Sequence, residues 1–139
     1  MDPLVTVIIP NYNLKKYVFK AIDSVINQTY NNLEILFIDD GSSDGSVDLV
    51  KSNYNDSRLK IYQKENGGLS STLNYGIDKA NGKYIQFLDS DDFLSKHKIK
   101  IHVEFLEKNN SYGSVYSHML LFNDGYFENA WEWPRKQFY

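Results

Sequence analysis

The chain has 139 residues, of which 42% are hydrophobic, and this is enough for one domain with a buried core. Its formal net charge is −3 and its 15 Lys and Arg residues are scattered, so nucleic acid is not expected as a partner. The absence of cysteine excludes disulfides, thiolate zinc sites and cysteine nucleophiles. No run approaches the ~18 consecutive apolar residues of a membrane span, and the N-terminus lacks a signal-peptide pattern. We therefore expect a cytoplasmic domain without a transmembrane segment; peripheral attachment to the inner face of a membrane and the oligomeric state stay open.

The first third of the chain predicts a strand, a helix and a second strand. Residues 4–9 (LVTVII) are a β-branched run, and the strand is predicted to end at Pro10, which cannot continue a hydrogen-bonded ladder. Residues 15–28 carry apolar side chains at helical spacing. Residues 33–38 (LEILFI) form another apolar run, which passes directly into the acidic and glycine-containing segment 39–45.

The same alternation continues through the middle of the chain. Apolar residues at helical spacing predict a helix around residues 47–54, with Ser43 or Asp44 as its N-cap. Residues 59–62 predict a third, short strand. Strands that alternate with helices in this way are typical of a parallel sheet with right-handed crossovers.

A polar loop over residues 63–70 contains the pair Gly67-Gly68. Two glycines permit a positive φ and a close approach of the backbone to a ligand, but they are equally typical of an ordinary turn. The helix predicted for residues 70–80 ends at Asn81-Gly82, with Gly82 positioned as its C′ cap.

The most informative segment is YIQFLDSDD, residues 84–92. Residues 84–88 are largely apolar on both faces, which predicts a central strand covered by helices on both sides. If the backbone stays extended beyond them, Asp89 and Asp91 point to one face while Ser90 and Asp92 point to the other. One acid would suffice to cap a following helix, so three acids within four residues favour a further role. Two converging carboxylates without a neighbouring His or Cys suit a hard divalent cation, Mg²⁺ or Mn²⁺.

Beyond the acids, Ser95 can cap a helix that continues to Asn109, and residues 113–121 predict a fifth strand. His102 falls in the helix and His118 in the strand, and we assign neither a role. The predicted inward positions of the helix are Ile99, Val103 and Leu106.

The predicted fold is therefore α/β, a three-layer α/β/α domain around a mainly parallel sheet. Ligands of such sheets bind beyond the carboxyl ends of the strands, where the strand order reverses. Polar clusters stand at the predicted carboxyl ends, namely residues 10–13, Asp39-Asp40 and residues 89–92, and we expect them to meet in one crevice. An aspartyl-phosphate enzyme is disfavoured, because it would need an Asp nucleophile where Pro10-Asn11 stands.

In the order and spacing of its motifs, the chain resembles the N-terminal part of a family 2 glycosyltransferase of GT-A fold. The resemblance extends from residue 5 to about residue 120. It rests on VTVIIPNYN (residues 5–13), QTY (28–30), EILFIDDGSSDGS (34–46), ENGGLSSTLNYGIDKANGKYIQFLDSDD (65–92) and GSVYSHM (113–119).

The resemblance implies metal-assisted, inverting transfer of a sugar from a nucleotide-diphosphate donor, UDP-linked, to a saccharide or lipid-linked acceptor, with Mn²⁺ or Mg²⁺. By position, Asp91 resembles the acid that binds the metal, Asp89 the acid that contacts the ribose, and Asp40 the acid that hydrogen-bonds the base. The nucleotide-binding residues that the resemblance implies are Pro10, Tyr12, Asn13, Asp40, Asn66, Gly67, Gly68, Asp89 and Ser90.

The resemblance also implies domain limits. Residues 1–122 would form a nucleotide-sugar-binding GT-A domain, and residues 123–139 the incomplete start of an acceptor-side segment, so that the GT-A unit is truncated. The general base is not recognised, because Asp124, Glu128 and Glu132 stand in no context that resembles the base of the family. We therefore expect donor binding with slow turnover, and a non-catalytic nucleotide-sugar-binding module stays open as an alternative.

Overall fold

A computed structural model of the protein describes residues 2–123 and 126–132. The chain divides into two compact units, one ending at Val103 and the other beginning at Glu104. Among the described residues, no helix combines the length and the hydrophobicity needed to cross a membrane.

The first unit is built on a four-stranded parallel sheet with the strand order β3-β2-β1-β4. Helices connect successive strands, which confirms the predicted α/β alternation. In chain order the elements are β1 (Val5–Asn11), α1 (Val18–Ile26), β2 (Leu33–Asp39), α2 (Ser46–Asn53), β3 (Leu59–Gln63), α3 (Leu69–Lys79), β4 (Tyr84–Phe87) and α4 (Lys98–Lys108), which continues into the second unit.

Alternate residues of the two central strands form the core on the two faces of the sheet. On one face, Val7 and Phe37 pack with α1, α2 and the first turns of α4. On the other face, Ile8 and Ile38 pack with α3. All four of these side chains are fully buried. The arrangement is the predicted three-layer α/β/α fold, with the central strands covered on both faces.

Strand β4 was predicted to be a central strand covered on both faces. For the described residues this prediction is wrong. Within these residues β4 pairs with β1 alone, at the edge of the sheet. Ile85 and Phe87 are accordingly 39% and 45% exposed. A short apolar run indicates a strand, but it does not contain the information that places the strand at the centre or at the edge of a sheet.

Strand β1 continues through Pro10 to Asn11, so the prediction that Pro10 ends the strand is wrong. The carbonyl of Pro10 accepts a hydrogen bond from Ser90 Oγ, on the side of the sheet where β4 lies. The nitrogen of Pro10 points to that same side, and β1 pairs with β4 only as far as Ile8. No ladder hydrogen bond is lost at Pro10, because its nitrogen lies beyond the paired part of β4.

The N-cap prediction for α2 is also wrong. Gly45, with a φ of 78°, is the N-cap, rather than Ser43 or Asp44. Asp44 instead accepts hydrogen bonds from the backbone N–H groups of Ser46 (2.9 Å) and Lys15 (2.8 Å), and so joins the turn before α2 to the loop after β1.

Gly82 is not a C′ cap either, because the C-cap of α3 is Ala80. A Cβ on residue 82 would stand 2.5 Å from the backbone nitrogen of Thr6, so the glycine allows the chain to pass close to β1.

The second unit contains a two-stranded antiparallel sheet of β5 (Leu120–Asn123) and β6 (Tyr126–Glu132). The fifth strand predicted at residues 113–121 is therefore wrong over most of its length, since strand structure begins only at Leu120 in the described residues. Strand propensity depends on the available pairing partner, which the pattern of residues 113–121 does not specify.

Helix α3 approaches the sheet closely at Gly76. A Cβ on residue 76 would stand 2.6 Å from Ile8 Cγ2 and 2.8 Å from Ile38 Cδ1. Both isoleucines are fully buried, so neither can move aside without disturbing the core.

We predict that Gly76→Ala lowers the free energy of unfolding by about 1–3 kcal/mol, because overpacking outweighs the helix propensity of alanine. Urea unfolding checks this, with Gly113→Ala as the control, because a Cβ on residue 113 would meet no atom within 4 Å. A Gly76→Ala variant as stable as the parent would contradict the close approach of α3.

Glu34 anchors the amino-terminal end of the sheet. Its carboxylate accepts hydrogen bonds from Thr6 Oγ1 (2.7 Å), Lys60 Nζ (2.8 Å) and both the backbone N–H (2.9 Å) and Nδ2 (2.8 Å) of Asn81. Burial alone would raise the pKa of Glu34, but Lys60, Asn81 and Thr6 together lower the pKa to about 2. The carboxylate therefore joins β1, β2, β3 and the turn before β4.

We predict that Glu34 stabilises the fold near neutral pH and that this contribution is lost as the pH falls from about 4.5 to about 2. The fold loses stability as the pH falls because the pKa of Glu34 is lower in the folded state than in the unfolded state, so that protonation favours the unfolded state. Glu34→Gln should lower the free energy of unfolding by about 1–3 kcal/mol near neutral pH. Urea unfolding over this pH range tests the prediction, with exposed Asp78→Asn as the control. The prediction would be contradicted if the free energy of unfolding fell equally with decreasing pH in Glu34→Gln and in the parent.

Candidate functional site

The carboxyl ends of β1, β2 and β4 and the loop before α3 form a pocket of about 360 Å³. The pocket lies where the strand order reverses: in the sheet, β2 and then β3 lie on one side of β1, and β4 lies on the other side. Its lining residues are Pro10, Asn11, Tyr12, Leu14, Asp40, Asn66, Gly68, Leu69, Thr72, Asp89, Ser90 and Asp91. Eight of the ten site residues expected from the sequence are therefore brought together, whereas Asn13 and Gly67 do not line the pocket.

Asp40 is 3% exposed, and its carboxylate holds the loop that precedes α3. Oδ1 accepts from Lys64 Nζ and from the N–H of Gly67 (3.0 Å), and Oδ2 accepts from the N–H of Gly68 (2.8 Å). Burial would raise the pKa of Asp40, but Lys64 and the two glycine amides hold this pKa below its usual value. The carboxylate expected to hydrogen-bond a base is thus engaged by the protein itself.

Gly67 and Gly68 meet different structural requirements, a close contact at Gly67 and a positive φ at Gly68. Gly68 has a φ of +84° and lines the pocket, in agreement with the positive φ that the pair permits. Gly67 has no such backbone requirement, but a Cβ there would stand 2.8 Å from Ser71 Oγ. Both donate their N–H groups to Asp40, so the pair serves the loop as well as the pocket.

Asn13 joins two loops rather than lining the pocket. Its backbone has a φ of 53°, its N–H donates to Ser42 Oγ (2.9 Å), and its Oδ1 accepts from the N–H of Ser43 (2.9 Å). The loop after β1 is thereby attached to the turn after β2, on which the position of Tyr12 depends.

Asn11 and Asp39 belong to the polar clusters that the sequence places at this crevice, but their contact with each other as a buried pair was not predicted. Asn11 Nδ2 donates to Asp39 Oδ1 (2.9 Å) and to Ser46 Oγ (2.9 Å), and Asp39 Oδ2 accepts from the N–H of Ser42 (2.9 Å). Asn11 and Asp39 stand opposite each other in the parallel register of β1 and β2. The sequence placed both residues at the ends of strands, but their pairing follows from the register of β1 and β2, which the sequence pattern does not specify.

Leu14, Leu69 and Thr72 were also missed. Tyr12 and Leu69 are 51% and 56% exposed, so the pocket has an aromatic and an aliphatic side chain at its open side. Thr72 is buried and its hydroxyl donates to the carbonyl of Gly68 (3.0 Å), which links the loop to the first turn of α3. Leu69 and Thr72 lie within the segment 65–92 that carries the resemblance, and Leu14 follows β1, but nothing in the sequence singled out these three side chains.

The acids after β4 do not continue an extended strand. The N–H of Asp92 donates to the carbonyl of Asp89 (3.0 Å), so residues 89–92 form a turn, and the strict alternation of faces expected for them is wrong. Asp89 and Asp91 nevertheless both line the pocket, and Asp92 does not. Ser90 is fully buried and its Oγ donates to the carbonyl of Pro10 (2.7 Å), which fixes the turn to β1.

The carboxylates of this turn repel one another. Burial, and then the charge of Asp91, raise the pKa of Asp89. Burial also raises the pKa of Asp92, with further contributions from Asp91 and Asp89. A bound cation would relieve this repulsion, because it neutralises the charges that raise these pKa values.

The residues of the turn fit a metal that takes part of its ligands from a substrate. Among the described residues, no group of three or more His, Cys, Asp or Glu side chains could enclose a metal ion by itself. Asp89 and Asp91 line the same pocket and offer only oxygen ligands. Mg²⁺ and Mn²⁺ accept such a set, since they bind through one or two carboxylates together with phosphate oxygens and water.

A larger open trough of about 740 Å³ lies on α1 beside residues 93–96. It contains none of the ten site residues expected from the sequence. Its lining residues are Lys20, Asp23, Ser24, Asn27, Phe93, Leu94 and Lys96. The smaller pocket is the stronger candidate site, because acids, amide donors and an aromatic side chain converge there at a switch point of the sheet.

The fold and the pocket define an α/β domain with a ligand crevice at the switch point of a parallel sheet. The family described as Glycosyl transferase family 2 matches residues 6–138, and the chain belongs to this family.

Relatives of known sequence agree with this assignment. An uncharacterized glycosyltransferase of Rickettsia bellii is 42% identical over 117 residues, which are 84% of this chain and 16% of that protein. The glycosyltransferase GlyA of Streptococcus pneumoniae is 34% identical over 95% of this chain and 21% of its own length. The chain thus spans about a fifth or less of the length of these two relatives.

Two solved structures share the fold. TarS 1-349 of Staphylococcus aureus, in complex with UDP-GlcNAc, has a TM-score of 0.72 and 30% identity over 77% of this chain and 32% of its own. The mannosyltransferase PcManGT of Pyrobaculum calidifontis, in complex with GDP-Man and Mn²⁺, has a TM-score of 0.69 and 26% identity over 76% of this chain and 33% of its own.

Proposed function

We propose that this chain binds the nucleotide-diphosphate sugar donor of a metal-assisted, inverting glycosyltransferase, and that the donor is a UDP-sugar. The single observation that carries the proposal is the convergence of three strand ends in one pocket with three acids, Asp40, Asp89 and Asp91, and the aromatic side chain of Tyr12. Similar proteins support it, because TarS is described in complex with UDP-GlcNAc and PcManGT with GDP-Man and Mn²⁺. The proposed acceptor is a saccharide or a lipid-linked saccharide.

The nucleoside would occupy the part of the pocket between β1 and the loop before α3. Tyr12 is exposed there and offers its ring to a planar base, with Pro10 beside it. Asp40 supports the opposite wall through the amides of Gly67 and Gly68. Asp89 lines the same pocket after β4, and we assign it to the ribose.

The diphosphate would lie near the turn after β4. We propose that Asp91, assisted by Asp89, holds Mg²⁺ or Mn²⁺ there. When bound, the cation supplies electrostatic stabilisation of the negative charge that develops on the leaving diphosphate. Ser90 keeps the turn in place through its bond to Pro10, so that the two carboxylates are positioned before the donor binds.

Inversion needs a general base that removes the proton of the acceptor hydroxyl, and a positioned base contributes about 10²–10⁴-fold in rate. We assign no residue to this role. Of the later acids, Asp124 lies outside the described residues, and Glu128 and Glu132 fall in β6.

We predict that UDP binds about tenfold more tightly with Mn²⁺ than with a chelator, which corresponds to about 1.4 kcal/mol of bridging interaction. Asp91→Asn should remove most of this difference, because the substituted amide is a poor ligand for a hard cation. Asp92→Asn is the matched control, since Asp92 belongs to the same turn but does not line the pocket. Calorimetric titration of UDP into each variant provides the measurement.

Equal UDP affinities with Mn²⁺ and with chelator would contradict the metal's role in donor binding. The enzymatic part of the proposal is tested separately, by incubating the chain with Mn²⁺ and a panel of UDP-sugars, with and without candidate saccharide acceptors, and measuring UDP release. Acceptor-dependent release that needs the metal and is absent from Asp91→Asn supports a transferase, whereas binding without acceptor-dependent release supports a binding module.

A further inference from the structure

The ion pair between Asp40 and Lys64 lies beside the pocket and is almost enclosed. The side chains of Asp40 and Lys64 are only 5% and 16% exposed. Lys64 Nζ also donates to the carbonyl of Glu65 (2.7 Å), and the backbone N–H of Lys64 donates to the carbonyl of Asp39 (3.0 Å). Lys64 is thus held by both its backbone and its side chain at the point where β3 passes into the loop.

The Asp40 carboxylate has little acceptor capacity left. An ionised carboxylate offers about four lone-pair sites. Lys64 and the amides of Gly67 and Gly68 occupy three of them. Asp40 is therefore mainly bonded to the protein, with at most one acceptor site left for a nucleobase.

The loop over residues 64–68 depends on this carboxylate. Adjacent glycines give the loop many alternative backbone conformations, and Gly68 adopts one with a φ of +84°. The Gly67 and Gly68 amides select the observed conformation by bonding to Asp40, and Asn66 Nδ2 adds a bond to the carbonyl of Asp40 (3.0 Å). A buried carboxylate accepts such bonds best when it is ionised, and an ionised carboxylate needs a cationic partner in an enclosed site.

Lys64 itself is absent from the residues that line the pocket, within the part of the chain that the structure describes. Gly68 and Asn66, which its partner Asp40 holds, do line it. An effect of Lys64 on a bound nucleotide would therefore pass through Asp40 and the loop.

We propose that Lys64 is a positioning residue: by pairing with Asp40 it holds Gly67 and Gly68 in place, and so sets nucleotide affinity without touching the nucleotide. The part of this inference that concerns affinity rests on the proposed function, whereas the part that concerns the loop does not.

The test compares Lys64→Met, which removes the charge and keeps the length of the side chain, with Lys64→Arg, which keeps the charge. The matched control is Lys60→Met, because Lys60 pairs with another buried carboxylate, Glu34, at the opposite end of the sheet. The measurements are the thermal midpoint of unfolding, hydrogen exchange of the Gly67 and Gly68 amides without nucleotide, and calorimetric titration of UDP with and without Mn²⁺.

In Lys64→Met we expect the amide hydrogens of Gly67 and Gly68 to exchange with solvent at least several-fold faster than in the parent. We also expect this variant to bind UDP about tenfold more weakly, both with and without Mn²⁺. Lys64→Arg should recover most of both losses. Lys60→Met should lose thermal stability yet keep the exchange rates and the UDP affinity of the parent. This pattern separates positioning of the loop from a general loss of stability.

Unchanged exchange of Gly67 and Gly68 in Lys64→Met would overturn the inference, whether or not UDP binds. The inference would also be overturned if Lys64→Met weakened UDP binding by the same factor in an Asp40→Asn variant as in the parent, because Lys64 would then act without Asp40. If Lys64→Met does not fold, Lys64→Gln replaces it, with the same expected directions. Failure of the parent to bind UDP would contradict the proposed function alone, and the exchange measurement would still decide the role of Lys64.

Discussion

The site depends first on the hydrogen bond between Asn11 Nδ2 and Asp39 Oδ1, 2.9 Å long and buried where β1 and β2 end. Both residues are nearly inaccessible, and further hydrogen bonds support the pair: Ser46 Oγ accepts from Asn11 Nδ2, and the N–H of Ser42 donates to Asp39 Oδ2. The next backbone bond along these strands joins the N–H of Asp40 to the carbonyl of Asn11 (2.8 Å). The two strands thus stay paired up to the point where the chain turns into the pocket, and the positions of Tyr12 and Asp40 follow from this.

The remaining parts of the site are attached to those strand ends by single side chains that bond to backbone groups. Asp40 binds the amides of the loop before α3, and Ser90 binds the carbonyl of Pro10. These contacts leave the side chains of Asp89 and Asp91 accessible from the pocket. Partial burial, and then the nearby charge of Asp91, raise the pKa of Asp89. Internal hydrogen bonds hold the framework of the pocket, with the exception of the buried Asn11 Oδ1, which has no partner among the described residues. Asp89 and Asp91 are left for a ligand or a cation.

The fold could be predicted from the sequence because periodicity reports which face of an element is buried. The continuous apolar run that contains Val7, Ile8 and Ile9 indicated a buried strand, and apolar residues at helical spacing indicated the helices. The place of β4 at the edge and the continuation of β1 through Pro10 could not be predicted, since both depend on which strands are neighbours. Most of the candidate site could be predicted, because its residues follow apolar runs that end at one edge of a parallel sheet. The engagement of Asp40 by Lys64 could not, because the two residues meet only after β3 has paired with β2.

The central claim is that the edge of the sheet formed by the carboxyl ends of β1, β2 and β4 holds a nucleotide. Titration of the ¹⁵N-labelled chain with UDP and Mg²⁺, followed by amide chemical shifts, tests it most directly. The account predicts the largest shifts at Tyr12, Asp40, Gly68 and Asp91, with little change around Glu34 at the opposite end of the sheet. Shifts concentrated on the trough beside α1 or around Glu34, or no shifts at saturating UDP, would contradict it.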